Sequence, residues 1–281
     1  MQDDPHLDLP AAPLTITGKS RVMFIMGDPI TQVVGTAALN AHWTQSGRDL
    51  VTVPLHTQPD DLEHMLGMLR RSKCVAGTGV TVPHKIAAYR LVDRLTTAAR
   101  QIGSVNFIRR DPDGSLVGHN IDGAGFLAGL KGAGVALQGR SVDLAGAGGV
   151  ARAIAFALVS AGVRHLVLRN RDSARAEGLA RDLHDRSDTS GCDIAVHEAE
   201  TAKPADMLVN GTSLGMRAAD PLPFTPGEIE GAKILAEVVM TPAETPFLAQ
   251  GRAAGLTCVP GMAMLTPQAD LVARFLDGDP A

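Results

Sequence analysis

The sequence predicts an α/β protein of two units in series, on three observations. Short apolar runs alternate with longer amphipathic segments along most of the chain, the rhythm of strands joined by helices. The 281 residues include 30 glycines, above the usual share of roughly 7%, and many cluster where an apolar run ends. Hydrophobic residues make up 45% and charged residues 20%, a globular balance over a length that accommodates two domains of ordinary size.

In the first unit RVMFIM (21–26), DLVTVPL (49–55) and CVAGTGVTV (74–82) read as strands, with helices over 34–46 and 59–71 between them. Such a βαβ series implies a mostly parallel sheet with helices on both faces. Two extended runs then flank DPDG within 104–120, which predicts a hairpin about that turn. A helix follows from Asp122 to about Lys131. The second series opens at SVDLAGAGG (141–149) and continues through HLVLRN (165–170), DIAVHEA (193–199), MLVNGTS (207–213) and ILAEVVM (234–240) to TCVPG (257–261). The tail MAMLTPQADLVARFL, residues 262–276, reads as one closing helix.

Composition excludes several classes. A net charge of -4 with one Trp and one Tyr argues against nucleic acid as a partner, since that needs a positive face and stacking platforms. There is no run of about 18 apolar residues, so no membrane span is expected. The acidic, Pro-rich start MQDDPHLDLPAAP has neither the basic nor the apolar region of a signal peptide. Cys74, Cys192 and Cys258 are odd in number and form no CxxC, so they read as reduced, buried thiols of a cytoplasmic protein. No residues are assigned to a metal.

GAGGVA, residues 146–151, follows the apolar run VDLA and opens the helical pattern VARAIAFALVSAG. This is the glycine-rich turn of a dinucleotide-binding fold. Gly146 allows the tight turn, Gly148 lets the backbone approach a pyrophosphate, and Ala151 lets helix and strand pack closely. The end of the next strand selects the cofactor. An Asp or Glu there holds the ribose hydroxyls of NAD, whereas arginine favours the extra phosphate of NADP. LRNRDSAR supplies Arg169, Asn170, Arg171 and Arg175, and Arg171 and Arg175 lie one helical turn apart, close enough to grip one phosphate. NADP is therefore the expected cofactor. Asp172 keeps NAD as the alternative, because it would repel a phosphate or hold a ribose.

VTVPHK (80–85) ends a strand in a proline turn that presents Lys85, and GHNIDGAGF (118–126) places Asn120 and Asp122 at a helix start. Taken singly, the first is a surface lysine and the second a helix cap. In order, however, GDPI (27–30), VTVPHK, SVN (104–106), GHNIDGAGF, GAGGVARA (146–153), NRDSARA (170–176), NGTSLGM (210–216), TPAETPFL (241–248) and GMAMLTPQA (261–269) resemble the shikimate dehydrogenase family, which includes quinate/shikimate dehydrogenases. The likeness runs from about residue 22 to the end.

The resemblance implies a substrate-binding domain of residues 1–122 completed by 258–281, and a Rossmann-type NADP-binding domain of 123–257, with a cleft between them. It implies that Lys85 and Asp122 are catalytic and that Thr81, Asn106 and Gln268 bind substrate hydroxyls. Cofactor contacts would fall to Gly146, Ala147, Gly148, Gly149, Val150, Ala151, Asn170, Arg171, Arg175, Thr212, Ser213, Met216, Val238 and Gly261. The activity implied is NADP-dependent hydride transfer between nicotinamide and a ring alcohol or ketone, in quinate and shikimate metabolism and aromatic amino acid biosynthesis. The partner would be a small cyclic hydroxy or keto compound, bound by a monomer or homodimer.

Departures fall on the substrate side. The loop GDPITQVVGT has Val33 and Gly35 where the family carries the Ser-x-Ser that holds the substrate carboxylate. Gly79 replaces an Asn, Ile121 the Thr before the catalytic Asp, Met240 a Tyr, and Glu237 an Asp. Loss of two hydroxyl donors from an anion site costs about 1–3 kcal/mol each. The expectation is therefore retained redox chemistry on a substrate other than shikimate, or a carboxylate held instead by Thr31, Gln32 or Thr36. A non-catalytic sensor on the same fold is the alternative class, and a methylene-tetrahydrofolate dehydrogenase ranks below both.

Overall fold

The computed structural model of the protein describes residues 15–31, 33–197 and 204–279. The first unit runs β1 (Arg21–Gly27), α1 (Gly35–Gln45), β2 (Leu50–His56), α2 (Leu62–Arg71), β3 (Val75–Val80), α3 (Lys85–Leu91), β4 (Arg94–Leu95), α4 (Thr97–Ile102), β5 (Phe107–Arg110) and β6 (Leu116–His119). Its sheet has the order β2-β1-β3-β5-β6-β4. The β5–β6 hairpin turns at DPDG as its residues dictate, and β5 pairs antiparallel with both β3 and β6. The helices follow their apolar spacing: α2 buries Leu62, Leu66 and Leu69 on one face.

The second unit comprises α5 (Asp122–Gly132), β7 (Ser141–Ala145), α6 (Gly149–Ser160), β8 (His165–Arg169), α7 (Ser173–Arg186), β9 (Asp193–Val196), β10 (Met207–Asn210), α8 (Pro226–Gly231), β11 (Ile234–Glu237), α9 (Pro246–Ala253) and β12 (Thr257–Val259). All its strand pairs are parallel, in the order β12-β11-β10-β7-β8-β9. Strand order reverses between β7 and β10, the place where open parallel sheets hold ligands.

The tail differs from expectation. It forms two helices, α10 (Gly261–Leu265) and α11 (Gln268–Leu276), broken at Thr266-Pro267 because proline removes a backbone donor and crowds the preceding turn. The break lets the two pieces serve different cores. Met264 of α10 packs into the second unit's core, while Val272, Ala273 and Phe275 of α11 pack with Trp43, Met23 and Ile121 in the first. Cys192 is buried as expected, Cys258 is half-buried and Cys74 is exposed. Among the described residues no helix is long and apolar enough to cross a membrane.

Helix α5 joins the units by close contact with α6. A Cβ on Gly123 would lie 2.6 Å from the Ala153 carbonyl oxygen and 2.9 Å from Ala157 Cβ, whereas one on Gly132 meets nothing within 4 Å. Gly123→Ala is therefore expected to lower the thermal unfolding midpoint, since backbone must move. Gly132→Ala should leave the midpoint unchanged or raise stability by up to about 1 kcal/mol through helix propensity. Equal midpoints for the two variants would refute the packing argument.

Candidate active site

Lys85 is the first residue of α3, and its turn is fixed by the residue before it. His84 is buried and its Nε2 donates to the Thr57 carbonyl at 2.7 Å. The Lys85 side chain is 12% exposed and its Nζ donates to Asp122 Oδ2 at 2.5 Å. Asp122 opens α5, and its backbone N–H donates to Asn120 Oδ1 at 3.0 Å. The Asn120 amide in turn donates to Ser104 Oγ at 2.9 Å. Asn106 Oδ1 accepts from Ile121 N at 3.0 Å, so its amide N–H groups remain for a ligand. A cavity of about 220 Å³ opens over this pair, lined also by Thr81, Asn106 and Gln268.

The dinucleotide turn forms the adjoining wall. Gly146 has φ +113°, and a Cβ there would lie 2.9 Å from the Gly211 carbonyl and 3.2 Å from Ala151 Cβ; only glycine fits. Gly148 faces open space within 4 Å and precedes α6, whose N-terminus carries no side-chain cap. Free N–H groups beside open space suit an anion. A Cβ on Gly149 would lie 3.5 Å from Lys85 Cδ, so the lysine stem packs against this turn, and Val150 and Val238 line the same cavity.

At the end of β8 the arginines divide. Arg169 is engaged within the fold: its Nε donates to Asp143 at 2.8 Å, its Nη2 to Glu228 at 2.7 Å, and it stacks on Phe224 at 4.6 Å. Asp143 and Glu228 also lie close to His197, and the guanidinium supplies the positive charge among these carboxylates. Arg171 and Arg175 are exposed. Asp172 caps α7 by accepting from Ala174 N at 3.2 Å and lies 3.5 Å from Arg175 Nε. Asn170 Nδ2 donates to the Asp172 carbonyl at 2.9 Å. After β10, Thr212 donates through N and Oγ1 to Asn210 Oδ1, Ser213 and Met216 are exposed, and a Cβ on Gly261 would lie 2.2 Å from the Val239 carbonyl.

Around the start of α1 the cavity lining is apolar, with Val33, Val34, Leu39 and the neighbouring Leu265, and Met240 lines the same cavity. Thr31 is exposed and Thr36 is half-buried; neither lines the cavity, because Thr36 lies one step round α1 from Gly35. Gln32 lies outside the described residues. At Gly79 a Cβ would lie 2.6 Å from Ile25 Cδ1 and 3.1 Å from the Phe107 ring, so apolar groups fill the space a larger side chain would take.

Comparison with known proteins bears on the family and the fold. The chain is 40% identical over 254 residues to the NADP(+) shikimate dehydrogenase of Rubrobacter xylanophilus, covering 90% of this chain and 89% of that one. It is 41% identical over 258 residues to that of Rhodospirillum rubrum, covering 90% of each. The chain belongs to the shikimate dehydrogenase family. Residues 25–108 match the model of the shikimate dehydrogenase substrate binding domain. Shikimate 5-dehydrogenase of Thermus thermophilus, solved with NADP(H) and shikimate, superimposes with TM-score 0.81 at 30% identity, covering 93% of this chain and 95% of that one. The ligand-free 5-ketofructose reductase of a Gluconobacter species gives TM-score 0.81 at 29% identity, covering 92% and 93%.

Within this shikimate dehydrogenase fold, sequence reasoning overlooked the supports of the Lys85–Asp122 pair. Its signals were adjacency alone: His84 beside Lys85, and Ser104 two residues before Asn106. It also counted Glu237 among the substrate-side departures, whereas Glu237 does not line the cavity. Glu237 ends β11, is 1% exposed, and accepts from Thr245 Oγ1 at 2.9 and 3.1 Å. Burial pushes its carboxyl up to about 7, against hydrogen bonds from Thr245 and Asn210 that lower it. The folded protein then holds this proton over a range where the unfolded chain has lost it. Stability from Glu237 is present below its ordinary pKa of 4.5 and is lost as pH rises to about 7. Buried His119, pushed down to about 4 chiefly by burial, runs the other way, gaining stability as pH rises through the same range. Glu237→Gln isolates the first effect. The unfolding free energy of wild type minus variant should fall by about 3 kcal/mol between about pH 4.5 and 7.5; parallel pH curves would show that Glu237 titrates normally.

Proposed function

We propose that this dehydrogenase, with NADP as its cofactor, interconverts a secondary ring alcohol and its ketone on a small substrate other than shikimate, with Lys85 and Asp122 at the reacting oxygen. The observation that carries the substrate assignment is the wall at Val33, Val34 and Gly35. No hydroxyl lines it, and the only cationic side chain lining the cavity among the described residues is Lys85, already engaged by Asp122. A carboxylate placed there leaves water without a partner.

Bound NADP supplies or removes the hydride. In reduction, the Lys85 ammonium gives its proton to the oxygen as charge develops on it, while Asp122 holds the Nζ in place. Oxidation runs the same proton back from the alcohol to the amine. Asn106, Thr81 and Gln268 orient the ring by its hydroxyls. The Gly146–Ala151 turn would take the pyrophosphate, with Asn170, Arg171 and Arg175 at the 2′-phosphate and Thr212, Ser213, Met216, Val238 and Gly261 toward the nicotinamide. Residues 1–122 with the tail from about 258 form the substrate unit in this reading, and 123–257 the NADP unit. Support for it comes from the seat of α11 beside Trp43 in the first core.

A second reading has one observation in its favour. Helix α1 has Val34 as its N-cap with no side-chain bond, so its first N–H groups could receive a carboxylate, and the curated relatives are shikimate dehydrogenases. Steady-state assays of shikimate and quinate with NADP separate the two readings, since efficient shikimate turnover would establish the second. Under the first, Val33→Ser with Gly35→Ser should raise kcat/KM for shikimate. The geometry allows it, because a Cβ on Gly35 meets only Leu265 Cδ1 at 3.6 Å. Lys85→Ala should lower kcat on any accepted substrate by about 10²–10⁴-fold while NADPH binding persists; retained turnover would remove Lys85 from the chemistry.

A further inference from the structure

We infer that the substrate of this site is an uncharged vicinal hydroxyketone, or in the other direction a vicinal diol, whose far end is hydrocarbon. The inference rests on the proposed function and narrows it. Three properties of the cavity lead to it. The first is charge balance. Lys85 and Asp122 are its ionisable lining side chains, and they cancel, so a substrate with its own charge would bring an unpaired ion out of water.

The second is the grouping of polar atoms at one end. Asn106 is tied to Ile121, the neighbour of Asp122, through the bond from Ile121 N to Asn106 Oδ1. The backbone N–H of Val105 donates to the Lys85 carbonyl at 2.9 Å. These links place the Asn106 amide beside the ion pair. With its oxygen engaged it offers only donors, so it calls for an acceptor oxygen next to the reacting one. Thr81 follows Val80, whose N–H donates to the Asn106 carbonyl at 2.7 Å, and Gln268 lies against Gly125 in the first turn of α5; both line the cavity and can bond a hydroxyl as donor or acceptor.

The third is the lining about the start of α1, where Val33, Val34, Leu39 and Leu265, with Met240, present no hydrogen-bonding group in their side chains. A hydroxyl pressed against them loses its water and gains nothing, whereas a methylene gains by burial. The cavity of about 220 Å³ falls below the ~300–1,000 Å³ of sites for drug-sized ligands, which fits a single six-membered ring.

Four ketones on one ring size test this with NADPH and the intact enzyme: 2-hydroxycyclohexanone, cyclohexanone, scyllo-inosose and 3-dehydroshikimate. The expected result is a kcat/KM for 2-hydroxycyclohexanone at least about tenfold above each of the others, a factor worth one buried hydrogen bond. Val34→Thr, which puts a hydroxyl into this apolar lining at nearly constant volume, should narrow the gap to scyllo-inosose. Faster turnover of scyllo-inosose by wild type would overturn the hydrocarbon end and leave the proposed function standing. Equal rates for the hydroxyketone and cyclohexanone would overturn the vicinal oxygen. If 3-dehydroshikimate is fastest, both readings fail. No turnover of any of the four overturns this inference, and Lys85-dependent reduction of some other ketone would then preserve the proposed function.

Discussion

Lys85 and Asp122 meet at 2.5 Å although 37 positions separate them in the chain, and both side chains are nearly buried. Two charges taken out of water are stabilised by each other only when their remaining groups are also bonded, and an apolar pair of the same size often serves folding better. The surrounding bonds supply that condition. His84 pins the turn before the lysine, Asn120 holds the aspartate N–H, and Ser104 holds Asn120. The β5–β6 hairpin lies between Ser104 and Asn120, so its register bears on the distance between the Lys85 amine and the Asp122 carboxylate. The dinucleotide turn then closes over the lysine stem at Gly149, which brings the two units to one wall.

The departures from the family pattern gain meaning from their positions. Val33, Val34 and Met240 share one cavity surface, and Ile25 and Phe107 occupy the space beside Gly79. The other departures lie elsewhere: Ile121 sits beside the ion pair, its N–H donating to Asn106 Oδ1, and Glu237 is buried off the cavity against Thr245.

Much of the fold was legible because its signals are local. The GAGGVA turn needs its glycine at φ +113°, the DPDG turn encodes a hairpin, and apolar spacing marks the larger helices. Lys85 and Asp122, which the fold brings together, lie in motifs whose order was legible, whereas His84 and Ser104 beside them were not singled out. Other features were hidden for physical reasons. Short elements such as α3, α4 and β4 fall below the length at which periodicity speaks. The break at Pro267 was visible but was overridden by the apolar pattern running through it. The role of Arg169 was hidden because its partners Asp143 and Glu228 lie 26 and 59 positions away. Thr36 is near the loop in sequence, yet the turn of α1 keeps it off the cavity.

That capture of Arg169 has a consequence for how the protein meets its cofactor. With the half-buried Arg169 held by Asp143 and Glu228, the arginines left at the end of β8 are Arg171 and Arg175, both exposed and one of them shared with Asp172. Exposed charges act through solvent, and dissolved ions attenuate them over a screening distance of about 8 Å at physiological ionic strength. Whatever selectivity for a phosphorylated ribose these side chains confer is therefore a function of the medium. The Lys85–Asp122 pair, sheltered from solvent, is screened far less by the same ions.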